Sequence, residues 1–236
     1  MSVALLDGDM LLHSCLWKTN NIEEFKSNVE YNIVEWVESP FCEDYIMALG
    51  ALDGRSYRDD MYPAYKRSVS RQAGRKLRVP HTKASKLWLN SRANSLVAEG
   101  VEADDLLGIW STEMQGEGII VTVDKDLDQV PGPHYNPRTE TLYNLSKEES
   151  NDFFCKQMLT GDSIDNIPGI PGIGPVKASK IVEVSEEDQP TTIIRAYEDK
   201  FGDDWRDYFL SNGKMLFIQR APDQHFSLKL FEELFA

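Results

Sequence analysis

Three short apolar runs, each closed by aspartate, constrain this chain more than any other feature. "SVALLD" ends at Asp7 and "DYIMALGALD" ends at Asp53. Gly118–Val123 of "GEGIIVTVDKDLD" is followed at once by Asp124 and Asp126. Runs this short and this continuously apolar read as buried strands. Amphipathic stretches lie between them. Asn21–Val37 has apolar residues at Ile22, Phe25, Val29, Ile33, Val34 and Val37, a helical spacing with Asn21 as cap. "EADDLLGIWSTEMQ" from Glu102 reads as a helix with acids in its first turn. Strands alternating with helices predict an α/β chain built on a parallel sheet. Ligands of such sheets collect beyond the carboxyl ends of the strands.

The remainder reads as follows. "HYNP" and "TLYNL" are short strands, and "SKEESNDFFCKQMLTG" is a capped helix. "PTTIIRAYEDKFG" and "DWRDYFLSNGKMLFIQRA" are amphipathic helices, and "FSLKLF" is a terminal strand. The expected division is an α/β core over 1–145 and a helical region over 146–236. No apolar run approaches the ~20 residues of a membrane span. The N-terminus lacks the basic segment of a secretory signal. Cys15, Cys42 and Cys155 show no zinc spacing and are expected to be reduced. These features predict a cytoplasmic protein with no membrane partner.

Acids gather where the strands end. Asp7, Asp53, Asp124 and Asp126 close strands. Glu102 and Asp105 are neighbours at helical i, i+3 spacing, with Asp104 near the same helix end. Asp162 and Asp165 repeat that spacing. Any one of them alone is equally a helix-end charge or a turn residue. Asp128 is expected to be a surface or capping residue. Taken together, nine carboxylates converging on one cleft would repel each other and raise each other's pKa values. Hard divalent cations such as Mg2+ or Mn2+ resolve this, because they take oxygen ligands. Two such ions ~4 Å apart stabilise both the attacking and the leaving oxygen in phosphodiester hydrolysis.

The formal net charge is −14, yet between Arg55 and Arg92 eleven Lys or Arg face only Asp59 and Asp60, a local +9. Such polarity predicts a cationic surface for a polyanion beside an acid-rich region. "SYRDDMYPAYKRSVSRQAGRKLRVP" interleaves tyrosines with Arg58, Lys66, Arg67 and Arg71, a pattern suited to phosphates and unpaired bases. The stretch is polar and weakly periodic. It is expected to sit over the acid cleft, where Lys66 or, second, Arg71 would clamp the scissile phosphate.

"IPGIPGIGPVKASKIV" follows Asp165. Gly169, Gly172 and Gly174 allow tight turns, and Pro175 fits a helix start. Free N–H groups there, with Lys177, would grip a duplex phosphate.

These motifs resemble the flap endonuclease and 5′→3′ exonuclease superfamily, in particular the small bacteriophage 5′ nucleases similar to the N-terminal domain of bacterial DNA polymerase I. "LLDGD", "DGRSYR", "YPAYKR", "VEADD", "TVDKDLDQ" and "TGDSIDNIPGIPGIG" occur in order, from residue 3 to about 182. The resemblance implies a PIN-like core, a basic arch over about 55–92 and a helix–three-turn–helix DNA element over about 159–184. It implies Mg2+ or Mn2+, two ions, and K+ at the hairpin. It makes Asp7, Asp53, Glu102, Asp104, Asp105, Asp124, Asp126, Asp162 and Asp165 the metal-binding acids. Asp53 and Asp124 are central to catalysis, and Lys66 is the arch lysine. The family's arch arginine falls at Val69, so Arg67 or Arg71 must replace it. The expected activity is a structure-selective 5′ nuclease on DNA 5′ ends, flaps or RNA primers, acting as a monomer among replication proteins, in a bacterial host's cytoplasm if phage-encoded. A PIN-type endoribonuclease and a non-catalytic DNA-binding module are the alternatives.

Overall fold

A computed structural model describes residues 2–67, 80–184 and 188–236. The strands are β1 (Val3–Asp7), β2 (Asp44–Leu49), β3 (Ser95–Val97), β4 (Gly118–Val121), β5 (Gly132–Asn136) and β6 (Thr141–Leu145). The helices are α1 (Gly8–Leu16), α2 (Ile22–Glu38), α3 (Tyr57–Met61), α4 (Thr82–Asn90), α5 (Ala103–Glu113), α6 (Lys147–Thr160), α7 (Pro175–Val184), α8 (Gln189–Phe201), α9 (Trp205–Leu216) and α10 (Leu228–Glu233).

The six strands form one sheet in the order β3-β2-β1-β4-β5-β6. All neighbours are parallel except the β5–β6 edge pair. The sheet is therefore mixed rather than wholly parallel. Side-chain alternation along the strands builds two apolar layers. Leu6 lies in register with Met47 and Val121, and these three share a core with residues of α1, α2 and α4. Leu5 lies in register with Ile120 and points to the opposite face, where Leu107 of α5, Leu127 and Val130 cover it. Burial on both faces is why these strands read as continuous apolar runs.

A second core is helical. Phe154 of α6 meets Phe217, Phe226 and Phe231 edge-on, with ring centroids 5.7, 5.7 and 6.2 Å apart. Offset and edge-on rings are the favoured aromatic geometry. Tyr65, from the basic stretch, is buried in this core.

Caps set several boundaries. Asn21 Oδ1 accepts from the Glu23 and Glu24 N–H groups, and Ser146 with Glu149 forms a capping box on α6. Two expectations fail. The second strand stops at Leu49 rather than Asp53, because a turn closed by the Gly54 N–H on Ala51 O takes over. "FSLKLF" is helical: Ser227 caps α10 and Phe231 is driven into the aromatic core. The basic stretch, read as polar and weakly periodic, carries two helices, α3 and α4; residues 68–79 within it are not described. Among the described residues no helix is long and apolar enough to cross a membrane.

Candidate active site

β1 is flanked by β2 on one side and β4 on the other, so the strand order reverses between β1 and β4. The crevice beyond such a switch point is where open α/β sheets bind ligands. Asp7 stands there as the last residue of β1 and the cap of α1. Its Oδ1 accepts the Met10 N–H at 2.8 Å, and its Oδ2 accepts the Thr122 hydroxyl at 2.8 Å. Thr122 Oγ1 in turn accepts the Asp124 N–H at 3.0 Å. One threonine thus locks together the ends of β1 and β4.

The electrostatics identify two groups of acids. Burial, opposed by its two hydrogen bonds and aided by Asp9 and Asp124, pushes Asp7 up to about 6. Burial, then Asp7 and Asp124, carries Asp104 well above the usual carboxylate range. Burial, then Asp124, Asp162 and Asp165, raises Asp126 to about 7. Asp124 is the link, charge-coupled to Asp7 and Asp104 on one side and to Asp126 on the other. Glu102, Asp104, Asp126, Asp162 and Asp165 line one cleft together with Tyr65.

Lys66 enters this cleft from the start of the basic stretch. Its Nζ donates to Glu102 Oε1 at 2.7 Å, and the Tyr65 hydroxyl donates to Glu102 Oε2 at 3.0 Å. Burial alone would raise Glu102, but Lys66 and Arg58 outweigh it and hold the carboxylate at about 2. Burial likewise acts to discharge Lys66, and Glu102, Asp165 and Asp104 reverse that, so the ammonium is retained.

Two residues singled out in the sequence are buried against each other. Arg58 does not face DNA: it is 2% exposed, and its guanidinium grips Asp105 with two hydrogen bonds of 2.7 and 2.9 Å. It also donates to the carbonyls of Met215 and Phe217. Asp105 is 0% exposed, and beyond Arg58 its two oxygens accept the N–H groups of Glu102 and Gln219 at 3.0 and 3.1 Å. Both oxygens of Asp105 are thus engaged by protein donors. Asp53 is exposed on the loop after β2, where its Oδ1 accepts the Arg55 N–H at 3.1 Å, and it does not line the cleft. Arg67 is exposed, and Arg71 lies outside the described residues. Asp128, half-buried, accepts the Tyr143 hydroxyl at 2.9 Å.

The hairpin is pinned by a backbone crossing. Gly161 (φ +68) and Gly169 (φ +58) touch so closely that a Cβ at Gly161 would stand 2.3 Å from Ile167 O, and one at Gly169 2.3 Å from Gly161 N. Only glycine fits there. The crossing closes the loop in which Asp162 and Ile167 exchange backbone hydrogen bonds of 3.0 and 2.7 Å. Gly172 takes φ +89, whereas Gly174 does not need positive φ. Lys177 is exposed in the first turn of α7, beside Lys180 on one open surface hollow.

The donor set fits a hard cation in kind: every acid in the cleft offers oxygen, and three of them hold protons more tightly than an isolated carboxylate. Among the described residues, no three His, Cys, Asp or Glu side chains stand as a ready-made metal-holding group. Thr122 and Gly161 lie inside the motifs "TVDKDLDQ" and "TGDSIDNIPGIPGIG" but carry no predicted role, and Tyr65, expected with its neighbouring tyrosines to meet unpaired bases, is buried instead. Gln157, whose amide donates to Asp126 Oδ1 at 2.7 Å, lies in no motif. Asp9, which accepts the Gly50 N–H at 3.1 Å, was visible only as the second acid of "LLDGD".

The architecture recurs in a solved structure. Bacteriophage T5 D15 flap endonuclease, described as a pseudo-enzyme-product complex with DNA and metal ions, superposes with a TM-score of 0.62 at 17% identity, covering 92% of this chain and 99% of that one. At this identity the likeness establishes the shared PIN-like fold. In sequence, DNA polymerase I of Rhizobium leguminosarum is 32% identical over 164 residues, 62% of this chain and 15% of that protein. Flap endonuclease Xni of Shewanella oneidensis is 31% identical over 146 residues, 55% of this chain and 54% of the relative. The matches thus span about half of the Xni protein and a smaller part of the polymerase. The model of the 5′-3′ exonuclease N-terminal resolvase-like domain matches residues 2–158, and the chain belongs to that family.

Proposed function

We propose that this chain is a metal-dependent, structure-selective 5′ nuclease that hydrolyses phosphodiester bonds near DNA 5′ ends or flap junctions. The observation that carries the reading is the juxtaposition at the sheet's switch point: two groups of aspartates joined through Asp124, with the charged amine of Lys66 at the same cleft. Asp7, Asp104 and Asp124 would hold one divalent ion, and Asp126, Asp162 and Asp165 a second, with Asp53 a further candidate from the adjoining loop. Mg2+ or Mn2+ bound there would supply Lewis acidity toward the phosphate and lower the pKa of water.

This chain's own groups do the rest. Lys66, kept protonated, meets the charge that builds on the phosphoryl oxygens. Asp7 and Asp126, which hold their protons to higher pH than ordinary carboxylates, lessen the uncompensated charge in the cleft. The first turn of α7, with Lys177 and Lys180, meets the duplex backbone without reading bases. The Gly161–Gly169 crossing fixes the distance between that anchor and the acids. The names borne by the relatives, flap endonuclease and DNA polymerase I, support this reading.

Incubation of a 5′-end-labelled flap duplex and a single-stranded RNA control with Mg2+, Mn2+ or EDTA tests it. Metal-dependent cutting of the flap duplex is expected, and product length separates stepwise removal from junction cutting. Cleavage of the RNA with the flap left intact would favour an endoribonuclease instead.

A further inference from the structure

Two residues with left-handed backbone meet where the basic stretch joins the acid loop. Lys66 has φ +53 and Asn166 has φ +64. Asparagine tolerates that region, whereas lysine adopts it rarely and needs its neighbours to hold it there. The holding contacts are specific. The Lys66 N–H donates to Asp165 O at 2.9 Å, and Asn166 Nδ2 donates to Ala64 O at 3.1 Å. Tyr65, between them, is 3% exposed and anchored in the helical core. The backbone therefore turns sharply between a buried tyrosine and the lysine that reaches Glu102.

We propose that Asn166 is a positioning residue for Lys66. Its amide clamps the Ala64 carbonyl, fixes the left-handed turn and so aims the Lys66 amine into the acid cleft. Asn166 itself is exposed. A solvent-exposed hydrogen bond contributes little net stability, so its value lies in orientation. The clamp belongs to the loop that runs on through Gly169 into the hairpin, and it makes one unit of the lysine, Asp165 and the surface offered to duplex DNA. The consequence for catalysis rests on the reading of Lys66 given under Proposed function; the clamp itself does not.

Asn166→Gly is the decisive variant, because glycine keeps the left-handed backbone freely and loses only the amide. Asn166→Ala is its companion. The first measurement is acetylation of Lys66 by an N-hydroxysuccinimide ester in metal-free protein, read by mass spectrometry against Lys177 as internal reference. In both variants Lys66 is expected to react several-fold faster; the melting temperature stays close to wild type in Asn166→Gly and falls modestly in Asn166→Ala, whose Cβ is strained at φ +64. The second is single-turnover cleavage of a 5′-flap duplex. The rate should fall about tenfold or more with unchanged affinity for the same DNA in Ca2+, and the loss should vanish in a Lys66→Ala background. Unchanged Lys66 acetylation in Asn166→Gly overturns the inference whatever the cutting rate. A wild-type chain that cuts no flap DNA would overturn the functional reading, and the acetylation result would still decide the clamp.

Discussion

Lys66 Nζ lies 2.7 Å from Glu102 Oε1, a close ion pair at a cleft whose lining includes Asp104, Asp126, Asp162 and Asp165. The pair keeps Glu102 ionised against its burial and keeps Lys66 charged among carboxylates. A cation held by one acid beside several others is poised to transfer its interaction to an arriving phosphate.

Glu102→Gln should destabilise the protein by up to roughly 3 kcal/mol at pH 7, the equivalent of its lowered pKa. Because the folded value lies near 2, below the ordinary 4.5, the contribution is complete above about pH 4.5. It fades as pH falls toward 2. Urea titrations of wild type and variant at pH 7 and pH 3.5 should show the gap narrowing at the lower pH.

Arg58→Met should cost about 3–5 kcal/mol, because Asp105 would be left as a buried charge without its partner. Asp105→Asn should also destabilise the fold but leave the number of Mn2+ ions bound unchanged by calorimetry. A lost Mn2+ site in that variant, with the fold intact, would restore Asp105 as a ligand.

Metal and pH should act on stability in opposite senses. Asp7, near 6, and Asp126, near 7, bind protons more tightly folded than unfolded. Their contribution to metal-free stability is present below the ordinary value of 3.8 and is lost as pH rises through 6 and 7. Divalent ions compete with those protons. The rise in melting temperature on adding Mg2+ should therefore be small at pH 5.5 and larger at pH 8, with proton release on binding between those limits.

Gly161→Ala should destabilise the protein by about 2 kcal/mol or more, since it adds a backbone clash to an unfavourable φ. Gly172→Ala, where a Cβ meets nothing within 4 Å, should cost less despite φ +89. Urea unfolding paired with duplex binding in Ca2+ separates damage to the crossing from damage to the anchor surface.

What could be read from the sequence was local. Apolar runs and caps such as Asn21 and Ser146 marked elements, because short-range chemistry sets them. Acids at strand ends marked the switch point. What escaped depended on partners distant along the chain. Arg58 looked like one more surface cation in a basic stretch, and only Asp105, Met215 and Phe217 reveal it as buried. Glu102 and Asp105 have the same helical spacing as any ligand pair, but the second is consumed by Arg58 and Gln219. "FSLKLF" alternates like a strand, and the demand of the aromatic core for Phe231 overrides that pattern.

In the proposed reaction, acids joined through Asp124 cut DNA with a divalent ion's help. Single-turnover cleavage of a 5′-flap duplex by Asp124→Asn, beside its affinity for the same DNA in Ca2+, is the decisive test. A rate reduced by about 10² or more with binding retained is expected. Wild-type cutting by Asp124→Asn, or cutting by the unaltered chain that persists in EDTA, would contradict it.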